Sequence, residues 1–346
     1  MTDDEGVAAT AQPVSTERVR ILLSVPTLEQ EAMFPAETRA ALADLGEVVE
    51  HQPGELLDPS RFRAALAGVD IAVTAWGFPT LGAGRLADAP ELRFVMHAAS
   101  SIRTLTCDDF WAAGIPVSQA GAAMAPAVAE LSLAFTMALL RRTQRTDHAL
   151  RGGGDWSTAR SIPRAREIRG SRIGVIGASR TGREYIRLVT ALGAEVLVHD
   201  PYLPEGDPLR AAQRDLHVLL RECEVLALHA PATAETRGML GAAEFALIRD
   251  GALVVNTARA ELLDADALYE EVASGRLDAA LDVFEVEPLA DRWRALPNVL
   301  VTPHLGGATV ESRARAGRIV VDEIRRFLDG APLQYALTRA DLERMG

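Results

Sequence analysis

The chain contains no lysine: all 36 cationic side chains among its 346 residues are arginine. That absence excludes Schiff-base chemistry, attachment of pyridoxal phosphate and a lysine-bearing phosphate loop. Positive charge is also short in total, because 48 acidic residues outweigh the arginines and leave a net charge of −12. An acidic chain with no basic stripe is a poor partner for nucleic acid or an anionic membrane. Cysteine is scarce. Cys107 and Cys223 cannot build a disulfide framework or a multi-cysteine metal site, and they read as two buried thiols of a reducing cytosol. The start, Met1-Thr2-Asp3-Asp4-Glu5, lacks the basic and apolar regions of a signal peptide. No apolar run is expected to reach the roughly 20 residues that cross a bilayer. The expectation is a soluble, cytoplasmic protein with no metal, no nucleic-acid partner and no membrane partner.

What is present is a repeating α/β pattern, long enough for two domains. Residues 1 to about 17 are small and polar and are expected to be disordered. Short apolar strands follow at Val19–Val25, Ile71–Trp76, Leu92–Ala98 and Ile115–Ser118, separated by helical patterns such as Glu37–Leu45. A long helix is predicted over Ala127–Leu150, apolar enough for burial and long enough for a subunit interface. Further strands follow at Val225–Ala230, Leu253–Asn256, Ala279–Phe284 and Val299–Thr302, then an amphipathic helix over Val310–Leu328. The alternation predicts parallel sheets, doubly wound. It places a cofactor domain at 120–308, and residues 1–119 and 309–346 form a discontinuous second domain.

Between Ser171 and Asp200 lies a strand, a glycine turn, an amphipathic helix, a second strand and a terminal aspartate. This is the layout of a dinucleotide-binding βαβ unit. Gly177 permits the turn, Gly182 lets the helix pack on the sheet, and the helix N-terminus faces the pyrophosphate. The middle glycine of the G-x-G-x-x-G pattern is replaced by Ser179. Its extra atoms would either crowd the phosphates or donate a hydrogen bond to them. Asp200 suits the adenosine ribose hydroxyls and repels a 2′-phosphate, so NAD is favoured over NADP. The plainer alternative is a glycine turn in an ordinary βαβ unit.

Three later strands end in polar segments that a buried strand does not need. They are Asn256-Thr257-Ala258-Arg259, Asp282-Val283-Phe284-Glu285-Val286-Glu287 and Thr302-Pro303-His304-Leu305-Gly306-Gly307. The carboxyl ends of strands face the ligand crevice in such a fold, so one Arg, one Glu and one His are expected to converge. At these residues the chain resembles the D-isomer-specific 2-hydroxyacid dehydrogenases. The likeness is densest from Glu167-Ile168-Arg169-Gly170 to Thr309, and it includes His229-Ala230-Pro231, Glu235-Thr236 and, upstream, Val128-Ala129-Glu130.

The resemblance implies a Rossmann NAD-binding domain inserted in a flavodoxin-like substrate domain. It also implies a homodimer that interconverts a 2-keto acid and a D-2-hydroxy acid. Arg259 would hold the substrate carboxylate, which a guanidinium grips bidentately. His304 would be the acid/base, with Glu287 as its partner. Asp282 would contact the nicotinamide. Arg180, Thr181, Pro231, Thr257, Ala258, Gly306 and Gly307 would join Gly177, Ser179, Gly182 and Asp200 at the cofactor, and Ser100 and Ser101 would face the substrate. Plainer readings exist beside these: Arg259 paired with Glu261, Glu287 as an exposed loop carboxylate, His304 as a buried structural imidazole. His229 reads as structural or cofactor-lining.

The chain also departs from the family. Ala99-Ser100-Ser101 replaces a glycine-rich turn, Met124 stands where an asparagine is common, and Ala260 follows Arg259 in place of glycine. These changes touch substrate choice and lean toward an apolar side chain. Two other readings share the fold: an NAD(H)-sensing, corepressor-like binding protein without catalysis, and a formate or phosphite dehydrogenase.

Overall fold

The computed structural model describes residues 18–287 and 289–345. The disorder expected for residues 1–17 lies outside the described residues. The chain divides into two compact units. One joins Met1–Gly121 to Arg313–Arg339, and the other holds Ala122–Ser312 with Ala340–Gly346.

In the first unit, β1 (Arg20–Ser24), β2 (Glu47–Glu50), β3 (Ile71–Thr74), β4 (Phe94–His97) and β5 (Val117–Gln119) are parallel, in the order β5-β4-β3-β1-β2. This is the 2-1-3-4-5 order of flavodoxin-like sheets. In the second unit, β6 (Arg172–Ile176), β7 (Glu195–His199), β8 (Val225–Leu228), β9 (Leu253–Asn256), β10 (Asp278–Leu281) and β11 (Val299–Val301) are also all parallel. Their order is β11-β10-β9-β8-β6-β7. A lone parallel bridge between Val198 and Gln213 extends the open edge beyond β7. The two parallel α/β sheets expected from the sequence are both present. A short β12 (Ala336–Leu337) closes the first sheet, antiparallel to β5.

The unbroken apolar strands of the second unit follow from burial on both faces. Leu226, Leu228 and Val254 point into one core cluster, with Leu219, Phe245 and Leu268. Val225, Ala227 and Val255 point into another, with Phe135, Tyr185 and Val189. Alternate residues of one strand thus serve opposite cores, the period-two geometry of a pleat.

Three local findings differ from the sequence reading. β2 was not expected, because Glu-Val-Val-Glu has too short an apolar run, and its side chains are half-buried at best. The helix predicted over Ala127–Leu150 is two helices, Ala125–Leu140 and Thr143–Arg151. Between them Arg142 adopts a left-handed backbone with φ of 54°. There Arg142 and Arg145 both reach the buried carboxylate of Asp278, Arg142 at 3.2 Å. A buried charge needs such partners, and holding them in place breaks the helix. The third difference concerns apolar length: Gly121–Leu140 is long and apolar enough to span a bilayer by length and composition. About half of it is buried in this fold, and Ala129, Phe135, Leu139 and Leu140 belong to the second unit's core.

Most of the C-terminal helix Val310–Leu328 belongs to the first unit. Glu323, fully buried, accepts hydrogen bonds from Ser118 Oγ at 2.7 Å and from the Gln334 and Tyr335 amides. Gly317 passes so close to Met33 that a Cβ there would stand 1.7 Å from the Met33 carbonyl oxygen. No larger residue fits without moving backbone.

Two histidines are buried without charge. Burial pushes His97 down to about 4, against a hydrogen bond with the Ser101 backbone that raises it. Burial alone pushes His229 down to about 3. On unfolding both regain an ordinary value near 6.5, so the unfolded chain binds more protons in acid. Their stabilisation is therefore complete above pH 6.5 and is lost as pH falls toward 4 and then 3, at about 1.4 kcal/mol per pH unit for each ring. Urea unfolding at a series of pH values should show His229→Asn losing about one such slope relative to the parent. Identical slopes would refute the assignment.

Candidate active site

The glycine turn after β6 fits a dinucleotide by its tight packing. Gly177 has φ of +92°, and a Cβ there would lie 2.5 Å from the Ala230 amide nitrogen. A Cβ on Gly182 would lie 2.1 Å from the Gly177 carbonyl oxygen. Ser179 sits at φ of −62°, which any residue adopts, and its Oγ accepts the Gly182 N–H at 3.2 Å. It is the N-cap of the helix Arg180–Ala191. The substitution that interrupts the glycine pattern therefore builds a helix cap, and the hydroxyl hydrogen stays available to a phosphate. Among the described residues, no acceptor meets the N–H groups of Arg180 and Thr181. The helix start thus has the donors an anion requires.

Asp200 follows β7 and is fixed from two sides. Its Oδ2 accepts the Ala178 N–H at 2.8 Å and its Oδ1 the Tyr202 N–H at 2.9 Å. On the other side of β6, Pro231 opens a loop closed by Thr236, whose Oγ1 donates to the Pro231 carbonyl at 2.5 Å.

β9, β10 and β11 are neighbours in the sheet, so their ends bring Arg259, Asp282 and His304 onto adjacent strands, about 4.8 Å apart strand to strand. After β9, Asn256 clamps the turn: its Nδ2 donates to the Arg259 carbonyl at 2.9 Å and its Oδ1 accepts the Ala258 N–H at 3.0 Å. Among the described residues the Arg259 guanidinium makes one hydrogen bond, to the Ala258 carbonyl. It has no ion-pair partner among the described residues, and Glu261 pairs with Arg237 instead.

After β10, Asp282 is 1% exposed. Its Oδ1 accepts Thr302 Oγ1–H at 2.5 Å and the Leu305 N–H at 2.8 Å, and its Oδ2 accepts the Gly306 N–H at 2.8 Å. Both oxygens are thus spent on the loop that carries His304. Within that loop His304 itself has φ of 56°, a left-handed value that is uncommon outside glycine. Its Nδ1 lies 3.1 Å from Glu287 Oε1, and both side chains are about half exposed. Gly306 packs on Asp282 and Val128, and Gly307 packs on Met124.

In the first unit, Ser100 and Ser101 leave the end of β4, half-buried and exposed respectively. Gly121 packs on Ser100, where a Cβ would come within 2.7 Å of the Ser100 Cβ. The buried His97 braces this turn through Thr74 Oγ1 at 2.9 Å and the Ser101 backbone.

A buried polar chain missing from the sequence reading ties the second unit's loops together. Thr257 bonds Ser132 at 2.6 Å, and Thr136 bonds the Tyr185 hydroxyl at 2.6 Å. Tyr185 packs on His229 with ring centroids 4.9 Å apart. The helix Ala125–Leu140 thereby contacts both the β9 loop and the nucleotide-turn helix. Ser132 and Thr136, four residues apart in an apolar helix, were its only sequence signal.

Asp282→Asn tests the clamp. Whichever way the amide turns, an NH₂ faces the N–H of Leu305 or Gly306. A loss of about 2 kcal/mol is expected in urea unfolding, with faster exchange of the Leu305 and Gly306 amides. Unchanged protection at those two amides would refute the role.

Residues 133–306 match the family model "D-isomer specific 2-hydroxyacid dehydrogenase, NAD binding domain". The chain is 36% identical to a hydroxypyruvate reductase of Thermotoga maritima over 243 residues, 69% of this chain and 78% of that one. It is 34% identical to a D-3-phosphoglycerate dehydrogenase of Mycobacterium tuberculosis over 298 residues, 84% of this chain. That match covers 55% of the relative, so the chain spans about half the length of such dehydrogenases. Among solved structures, D-2-hydroxyisocaproate dehydrogenase superposes with a TM-score of 0.81 at 24% identity, covering 92% of this chain and 99% of that one. The matched model and these relatives together place the chain in the D-isomer specific 2-hydroxyacid dehydrogenase family.

Proposed function

We propose that this chain is an NAD-dependent dehydrogenase that reduces a 2-keto acid to a D-2-hydroxy acid and runs the reverse reaction. In this reading residues 120–308 bind the dinucleotide, and 1–119 with 309–346 bind the substrate. One observation carries it: a guanidinium at the end of β9 with no ion-pair partner among the described residues, beside a His–Glu pair on the neighbouring strand ends. Such a guanidinium is free to take a carboxylate bidentately. Arg259 therefore holds the substrate carboxylate and polarises the adjacent carbonyl. Ser100 and Ser101 are the further proposed substrate contacts.

His304 holds the transferred proton. Its Nδ1 is engaged by Glu287, which leaves Nε2 to meet the carbonyl oxygen and fixes which nitrogen carries the working proton. In reduction Nε2–H protonates that oxygen, and in oxidation the same nitrogen takes the proton back. When bound, the nicotinamide supplies or accepts the hydride at the carbonyl carbon. The remaining cofactor contacts are Gly177, Ser179, Arg180, Thr181, Gly182, Asp200, Pro231, Thr257, Ala258, Gly306 and Gly307. Asp282, expected at the nicotinamide, is buried with both oxygens bonded to the His304 loop, so it serves the cofactor by holding that loop.

The same reading places the enzyme in the cytoplasm as a homodimer. Free Cys107 and Cys223 suit a reducing compartment. An apolar helix only half buried, with Trp156 69% exposed beyond it, suits a self-association face. Light scattering should give about twice 37.1 kDa, and Trp156→Glu should shift it toward one copy. A parent chain of single mass would refute the dimer.

NADH oxidation with glyoxylate, hydroxypyruvate, pyruvate, phenylpyruvate and branched 2-keto acids, with formate as the counter-case, tests the activity. His304→Ala should lower kcat by about 10² to 10⁴. Arg259→Ala should lower kcat/KM by about 10² or more. Turnover at the parent rate in either variant would sink the assigned roles.

A further inference from the structure

β6 lies between β7 and β8 in the sheet, so the loops leaving those two strands flank the Gly177–Gly182 turn on opposite sides. One side-chain hydrogen bond joins them across it: the Tyr202 hydroxyl donates to Glu235 Oε2. Both residues are exposed, Tyr202 at 71%. Neither is needed for packing.

Each partner is held in place. The Tyr202 N–H bonds Asp200 Oδ1 at 2.9 Å, so the ring and the Asp200 carboxylate belong to one turn. Glu235 sits in the loop closed by Thr236, whose Oγ1 also accepts the Thr233 N–H at 2.8 Å. Two carboxylates therefore act on one phenol: the hydrogen bond to Glu235 foremost, then partial desolvation, then the charges of Glu235 and Asp200, raise its pKa. The arginines of the β7 loop are turned to backbone carbonyls. Arg210 bonds the Leu203 and Pro204 carbonyls, and Arg214 bonds those of Ala211 and Gln213.

We infer that Glu235, presented by Tyr202, is a second selector that acts with Asp200 against a dinucleotide bearing a 2′-phosphate. The inference rests on the dinucleotide reading of this unit. A 2′-phosphate adds close to two negative charges. At this position it would meet carboxylates from both sides of the turn, and removing Asp200 alone would leave one in place. Adenosine without that phosphate meets no such repulsion.

Calorimetric dissociation constants of NADH and NADPH, measured on the full chain at low salt, test the assignment. In Glu235→Gln the ratio of the NADPH to the NADH constant should fall about fivefold, the effect of one charge pair a few ångströms apart in water. Tyr202→Phe frees the carboxylate and should move the ratio the same way by less. Added salt at about 1 M should shrink the difference between parent and Glu235→Gln. An unmoved ratio at low salt, or equal gains for both nucleotides, would overturn the selector role while leaving the dinucleotide site standing. A parent chain that binds neither nucleotide would overturn both.

Discussion

Burial of the second unit's sheet on both faces confines its polar chemistry. Leu226 and Leu228 face one core while Val225 and Ala227 face the other, so no side chain in the middle of these strands can reach a ligand. Polar residues are tolerated only where the strands stop. Asn256, Asp282 and Thr302 stand at those stops, each on the same side of neighbouring strands. The site is thus a consequence of where apolar packing ends, and the loops beyond are shaped by the polar residues at the boundary.

This explains what could be read from the sequence. Apolar runs and glycine spacing marked the strands of both sheets because burial leaves the chain little choice there. Arg259, Glu287 and His304 stood out because they follow apolar runs. The rest was hidden for physical reasons. Glu47–Glu50 forms a strand by pairing with β1, not by a pattern of its own. The break at Arg142 depends on Asp278, some 130 residues away, and no local propensity records that partner. The bonds from Ser132 to Thr257 and from Thr136 to Tyr185 are likewise long-range and invisible along the chain. Ser179 read as a defect in a motif because a pattern of glycines says nothing about helix capping.

The arrangement divides labour between chemistry and support. In the proposed reading Arg259 and His304 present a charge and a proton, but neither fixes its own position. Asn256 holds the backbone of one, and Asp282 holds the loop of the other. Buried, fully hydrogen-bonded side chains of this kind are rigid because leaving any of their groups unmet is unfavourable. The side chains above them can then be held in place without being fully packed.

The left-handed backbone at His304 has a consequence for how this site can change. A branched or bulky residue at φ of 56° resists the conformation, whereas glycine or asparagine accepts it readily. The imidazole therefore occupies a position where an inert residue would make the chain more stable, and the three bonds of Asp282 would keep the loop in shape without it. In the proposed reading, glycine at this one residue would relax the backbone and remove the acid/base, leaving a chain that folds and holds the dinucleotide without turning substrate over.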